Sequence, residues 1–201
     1  MRGLFQIDVH DGVYPPSEDT YLLLDMMDFE AEDSVLDVGC GAGLGTVFAA
    51  SIVRRVVGID ISLEAVRNTA ANLRRNNQKD NAGVIQSDLL SAISSKCKFS
   101  IIMFNPPYLP ADDNTTTMDH MHIGGNQGSE LTQRFVHQAP QFLIEGGRLF
   151  IVVSTLANTG GVVKTLEDSG FEVRYLAEKS LFFEKIQVIK GIFRGHKETV
   201  L

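Results

Sequence analysis

A chain of 201 residues, 44% of them hydrophobic, can bury one substantial core but not two full-sized ones, so residues 1–201 are read as a single domain. The 18 Lys and Arg against 25 Asp and Glu leave a formal charge of -7, a field that repels phosphate backbones and makes nucleic acid a poor default substrate. Cys40 and Cys97 lack the spacing of a metal site or a disulfide framework, and no apolar run suits a signal or a membrane span; the expectation is a cytoplasmic chain with reduced thiols and no bound metal.

In chain order, Pro15-Pro16-Ser17-Glu18-Asp19-Thr20 reads as a turn into a helix, with Ser17 as its cap, two acids at its positive end, and residues 21–27 continuing it. Residues 34–38 form a short buried strand, Gly39-Cys40-Gly41-Ala42-Gly43 a tight turn, and residues 44–53 a helix. A second unit follows: an apolar strand over residues 55–59 ending at Asp60, then a helix capped by Ser62 and reaching Asn76. Val66, Ala70 and Leu73 recur along that helix at helical spacing and are expected to pack inward. Arg74, Arg75 and Lys79 form the densest basic cluster and read as its solvated end.

Val84-Ile85 leads to Ser87-Asp88, and residues 100–104 lead to Asn105. A helix over residues 129–144 precedes Gly146-Gly147 and a strand over 148–154. A helix over 162–169 is ended by Gly170, and strands over 171–176 and 185–193 have little helix between them. This alternation predicts an α/β fold, Rossmann-like and doubly wound, its mostly parallel sheet carrying an antiparallel C-terminal strand pair at one edge. The polar stretch within residues 109–128 exceeds a routine connection and is either a substrate loop or a disordered segment.

In open α/β sheets ligands sit beyond the carboxyl ends of the strands, and Gly39, Gly41 and Gly43 let one approach the backbone there. That spacing alone suits a dinucleotide-dependent oxidoreductase equally well. The acids discriminate. Asp37 can accept from the ammonium of an amino-acid-bearing cofactor but would repel a pyrophosphate. Asp60 can accept from ribose hydroxyls, and Asp88, with Leu89 beside it, from an adenine amino group. S-adenosyl-L-methionine brings all three donors.

Asn105-Pro106-Pro107-Tyr108 follows a strand at the same edge. The prolines fix φ and remove amide donors, leaving a stiff array of acceptors. An amide or conjugated amine nitrogen is a poor nucleophile because its lone pair is delocalised. The Asn105 side-chain oxygen and the Pro106 carbonyl can each accept one N–H and turn that nitrogen toward a methyl donor, while Tyr108 stacks on the planar group.

These segments, with Tyr14 to Thr20 and Gly124-Gly125-Asn126-Gln127-Gly128, resemble the nitrogen-methylating Rossmann-like methyltransferases. The chain is most similar to HemK-related glutamine methyltransferases of translation release factors, in their short archaeal and eukaryotic form. The resemblance implies that Thr20, Asp37, Gly39, Asp60, Asp88, Leu89 and Asn105 contact S-adenosyl-L-methionine. It also implies that the substrate is the glutamine of a Gly-Gly-Gln loop and that a small zinc-binding activator covers an apolar surface. Where such proteins often carry Trp before the Gly-Gly pair, His122-Ile123 stand here, and His122 is a candidate lining of the substrate cleft. DNA adenine and protein lysine are alternative acceptors, the former disfavoured by the charge and by the lack of a target-recognition domain. An oxidoreductase would leave Asn105 to Tyr108 without a task, and a non-catalytic cofactor-binding subunit would have no reason to keep them.

Overall fold

The protein is described from a computed structural model covering residues 3–110, 123–182 and 184–195. Helix α1 (Glu18–Asp25) precedes β1 (Ser34–Val38), α2 (Leu44–Ala50), β2 (Arg55–Asp60), α3 (Leu63–Arg75), β3 (Ala82–Gln86) and β4 (Phe99–Phe104). Two short strands, β5 (Leu109–Pro110) and β6 (Ile123–Gly125), lead to α4 (Glu130–Gln138), β7 (Leu143–Ser154), α5 (Thr159–Asp168), β8 (Phe171–Ser180) and β9 (Lys185–Phe193).

The seven-stranded sheet has the order β3-β2-β1-β4-β7-β9-β8. The first five strands are parallel; β9 enters antiparallel between β7 and β8 and pairs with both. The expected antiparallel C-terminal pair at one edge is present. Alternate residues feed two cores, as a pleated strand requires. Val35, Ile101, Met103, Phe150 and Val152 pack with Leu23, Leu24, Val47 and Leu73 of α1 to α3. Leu36, Val38, Ile102, Phe104, Leu149 and Ile151 pack with Phe135, Val136, Val162 and Leu166 of α4 and α5. Helices switch faces between β1 and β4, which opens a crevice at their carboxyl ends.

Two expectations need correction. The helix expected over residues 129–144 stops at Gln138, and a 3₁₀ turn (Ala139–Phe142) bearing Pro140 follows. Proline has no N–H to continue the ladder and clashes with the preceding turn. Strand β7 therefore begins at Leu143, well before residue 148, and a register irregularity against β4 absorbs Gly146 and Gly147.

The buried face of α3 is not the apolar stripe the spacing suggested. It is Ala65, Asn68, Thr69, Asn72 and Leu73. Asn68 bonds the His10 N–H at 2.9 Å and the Asp8 carbonyl at 2.9 Å. Asn72 accepts from the Asp8 N–H at 3.1 Å and donates to the carbonyls of Asp8 and Ala42 at 2.7 and 2.8 Å. Asn76, one turn further, exchanges two bonds with Gln6. Four helical residues rise about 6 Å and two extended residues about 6.6 Å. Asparagines at i, i+4 and i+8 thus match every second residue of a strap over residues 6–10. Arg75 pairs with Asp8, so the basic cluster is only partly a solvated end. No described helix is long and apolar enough to cross a membrane.

Truncating fully buried Asn72 to Ala should cost about 1–3 kcal/mol, since it removes the buried donor to the Ala42 carbonyl, whereas Asn76→Ala, on the exposed rung, should cost under about 1 kcal/mol. Denaturant unfolding together with amide exchange at Asp8 and His10 measures both; equal, small losses would mean the strap is not held by the ladder.

Candidate active site

The parallel register aligns the strand ends that carry the site. Val38 lies beside Ile59 and Phe104, and Asp60 beside Gln86. The four following segments line one cleft of about 440 Å³. Gly39 and Gly41 come from the first, Asp60 with Ile61 and Ser62 from the second, Ser87, Asp88 and Leu89 from the third, and Asn105 to Tyr108 from the fourth. The strap supplies Gly12, Val13 and Tyr14, and α4 supplies Leu131 and Arg134.

The glycine turn is left-handed at Gly39, Gly41 and Gly43. At Gly43 a Cβ would come within 2.9 Å of the Thr69 backbone, so glycine is there for helix packing. At Gly39 a Cβ would meet only the Phe104 ring, at 3.5 Å, and would otherwise project into the cleft. That glycine keeps space open for a ligand.

Asp60 is partly buried, which raises its pKa; amide bonds from Ser62 at 2.9 Å and Gly41 at 3.0 Å oppose the shift and hold the carboxylate oriented. Asp60 itself lines the cleft. Asp88 binds Arg134 through one oxygen at 2.6 Å. Leu89 holds φ +46°, an unusual conformation for a branched residue, and its carbonyl is fixed by the Ser87 hydroxyl at 2.6 Å.

Asp37 and Thr20 line a smaller adjoining cavity of about 50 Å³, reached past Tyr14, Gly39, Gly41 and Asn105. Asp37 is buried beneath α2, where Thr46 donates to it at 2.6 Å. Burial pushes its pKa up to about 7 against that hydrogen bond, and the charge of Asp60 adds to the rise. An ammonium placed there would reverse the shift.

Asn105 directly follows β4, and Phe104 before it meets Phe135 of α4 edge-on at 4.7 Å, which fixes the strand end. The Asn105 side-chain oxygen is buried with no hydrogen-bond partner among the described residues. Such an acceptor costs about 1–3 kcal/mol unless something satisfies it. Tyr108 is tethered through its hydroxyl, which donates to Asp19 at 3.1 Å, and the residue lines the cleft. Tyr14 donates to the same oxygen at 2.8 Å, and the Thr20 N–H to the other at 2.6 Å. Burial, then the Asp19 charge, holds both phenols well above their ordinary pKa, so both stay protonated.

Sequence reading missed this role of Asp19, which looked like a helix-end acid; the available signal was a tyrosine five residues before it in one motif and another closing the Asn-Pro-Pro-Tyr motif. It also missed Arg134, which nothing in helix periodicity distinguishes from a solvated charge. Residues 111–122, including His122 and most of the expected substrate loop, lie outside the described residues, although Leu109 pairs with Ile123 at the ends of that stretch.

The buried acceptor, the open glycine turn and acids able to meet an ammonium, a diol and an aromatic amine fit S-adenosylmethionine. The family model described as methyltransferase small domain matches residues 10–183. A Methanocaldococcus jannaschii protein named as a candidate protein N5-glutamine methyltransferase is 33% identical over 191 residues, covering 92% of this chain and 94% of that one. Mouse methyltransferase HEMK2 is 30% identical over 184 residues, 85% of this chain and 83% of its own. The solved E. cuniculi Mtq2-Trm112 complex, described as responsible for methylation of the eRF1 translation termination factor, superposes with a TM-score of 0.69 at 28% identity, covering 90% of this chain and 99% of that one.

Because the folded pKa of Asp37 lies near 7, above the roughly 3.9 of an unfolded chain, its protonated form stabilises the fold below about pH 4, and that stabilisation is lost as pH rises to about 7. Asp37→Asn cannot ionise. Without ligand, the melting temperature of the variant should gain on that of the wild type across this window and then level; a constant gap would mean that Asp37 does not titrate there.

Proposed function

The chain belongs to the methyltransferase small-domain family, and we propose that it methylates the side-chain amide nitrogen of a glutamine in a translation release factor. S-adenosylmethionine supplies an electrophilic methyl group on a sulfonium. The observation carrying the reading is the buried oxygen of Asn105, without a partner among the described residues, in the lining of a cleft fitted to that cofactor.

The chain's own residues have two tasks. The first is to hold the cofactor: Asp60 takes the ribose hydroxyls, Asp88 with Leu89 the adenine, and Asp37, Thr20, Gly39 and Gly41 surround the amino-acid end. The second is to prepare the nitrogen. Asn105 accepts one N–H and the Pro106 carbonyl the other, so the lone pair is drawn out of conjugation and aimed at the methyl group, and the positive charge that grows on nitrogen is stabilised. Pro106 and Pro107 offer no competing amide donors. Tyr108, tied to Asp19, walls the acceptor side as a neutral phenol. No residue need act as a strong base, because the methylated nitrogen is acidic and sheds its proton to water afterwards.

The names of the relatives support glutamine as the acceptor, and the E. cuniculi complex supports a partner subunit; from the resemblance in the motifs we infer that the partner is small and binds zinc.

Incubation with labelled S-adenosylmethionine and a release factor, a lysine-rich histone-like protein or duplex DNA, each with and without the partner, tests the substrate. Label is expected on the release factor; label on DNA alone would overturn the reading. Asn105→Ala should lose about 10²–10³-fold in transfer while calorimetry still shows cofactor binding. Undiminished transfer would place the reaction elsewhere.

A further inference from the structure

The segment Gly124-Gly125-Asn126-Gln127-Gly128 is a marked feature of the sequence with no task in the chemistry above. Its physical task is to start α4. Glu130, in the first turn of α4, folds back to accept from the N–H groups of Gln127 at 2.9 Å and Ser129 at 3.1 Å, and Gly125 takes φ +118° where a Cβ would strike the Glu130 side chain. From that start, Phe135 is fully buried against Phe104, and Leu131 and Arg134, three residues apart, face the cleft.

Arg134 then reaches Asp88 with an Nη2 to Oδ1 distance of 2.6 Å. Both side chains are about half exposed, at 53% and 55%. Such a pair adds little to folding stability. Its consequence is orientation, because a half-exposed carboxylate would otherwise sample several rotamers and pay for ordering on binding. With Oδ1 held by the guanidinium, Oδ2 makes no hydrogen bond among the described residues.

We propose that Arg134 is a positioning residue that fixes Asp88 with Oδ2 presented to the adenine amino group, and so sets the selectivity of the cleft for a 6-aminopurine. This rests on the cleft binding S-adenosylmethionine, as proposed above. The Gly124 to Gly128 segment, through α4, is what places this guanidinium opposite the end of β3.

Arg134→Met keeps the length and apolar stem of the side chain without the charge. Calorimetry compares its affinity for S-adenosylhomocysteine and for the analogue whose purine lacks the 6-amino group, with melting temperature as the folding control. The variant is expected to bind S-adenosylhomocysteine roughly tenfold more weakly than wild type, to bind the analogue with unchanged affinity, and to melt as wild type does. Equal losses for both ligands, or no loss for either, would overturn the proposal. Wild type binding neither ligand would instead remove the cofactor assignment on which it rests.

Discussion

A carbonyl oxygen withdrawn from water and given no donor is a debt in the folded state, and this fold carries one at Asn105. Among the described residues nothing relieves it. The two residues after it are prolines, which have no N–H to offer, and the strand before it is locked through Phe104 against Phe135. An acceptor that only a ligand can satisfy selects for what a planar nitrogen brings. The cost in stability becomes recognition.

Polar contacts around the cleft hold that acceptor in place. Asp19 collects hydrogen bonds from Tyr14 on the strap and Tyr108 after Asn105, and so couples two segments 94 residues apart across the cleft mouth. The strap is registered in turn by Asn68, Asn72 and Asn76, whose helical pitch matches an extended chain. Thr69, between them, donates to the Gly41 carbonyl at 2.9 Å, so one helix face fixes both the strap and the glycine turn. Helix α3 is thus less a cover for the sheet than a frame for the site.

The order of strands and helices was legible in the sequence because apolar runs of four to six residues alternate with capped helical segments, and the strand-end acids stood out against them. What followed from three-dimensional pairing was not. Val66 and Ala70 suggested an apolar face for α3, but the bonding demand of the strap put Asn68 and Asn72 inside. Pro140 was the visible sign that α4 would stop early. Asp19 and Arg134 were hard to tell from surface charges, since Tyr108, which completes the Asp19 cluster, lies 89 residues away and Asp88 lies 46 residues from Arg134. The nitrogen-acceptor motif was readable because its chemistry is local to four consecutive residues.

The Asn105 acceptor can take an adenine or an amine as well as a glutamine amide, so the identity of the methylated nitrogen decides the substrate. Tandem mass spectrometry of a release factor treated with enzyme, partner and S-adenosylmethionine addresses it directly. One added methyl group on the side-chain nitrogen of the glutamine in the Gly-Gly-Gln loop, absent with Asn105→Ala, is the predicted result; a methyl group on lysine, or an unmodified glutamine beside a methylated nucleic acid, would contradict it.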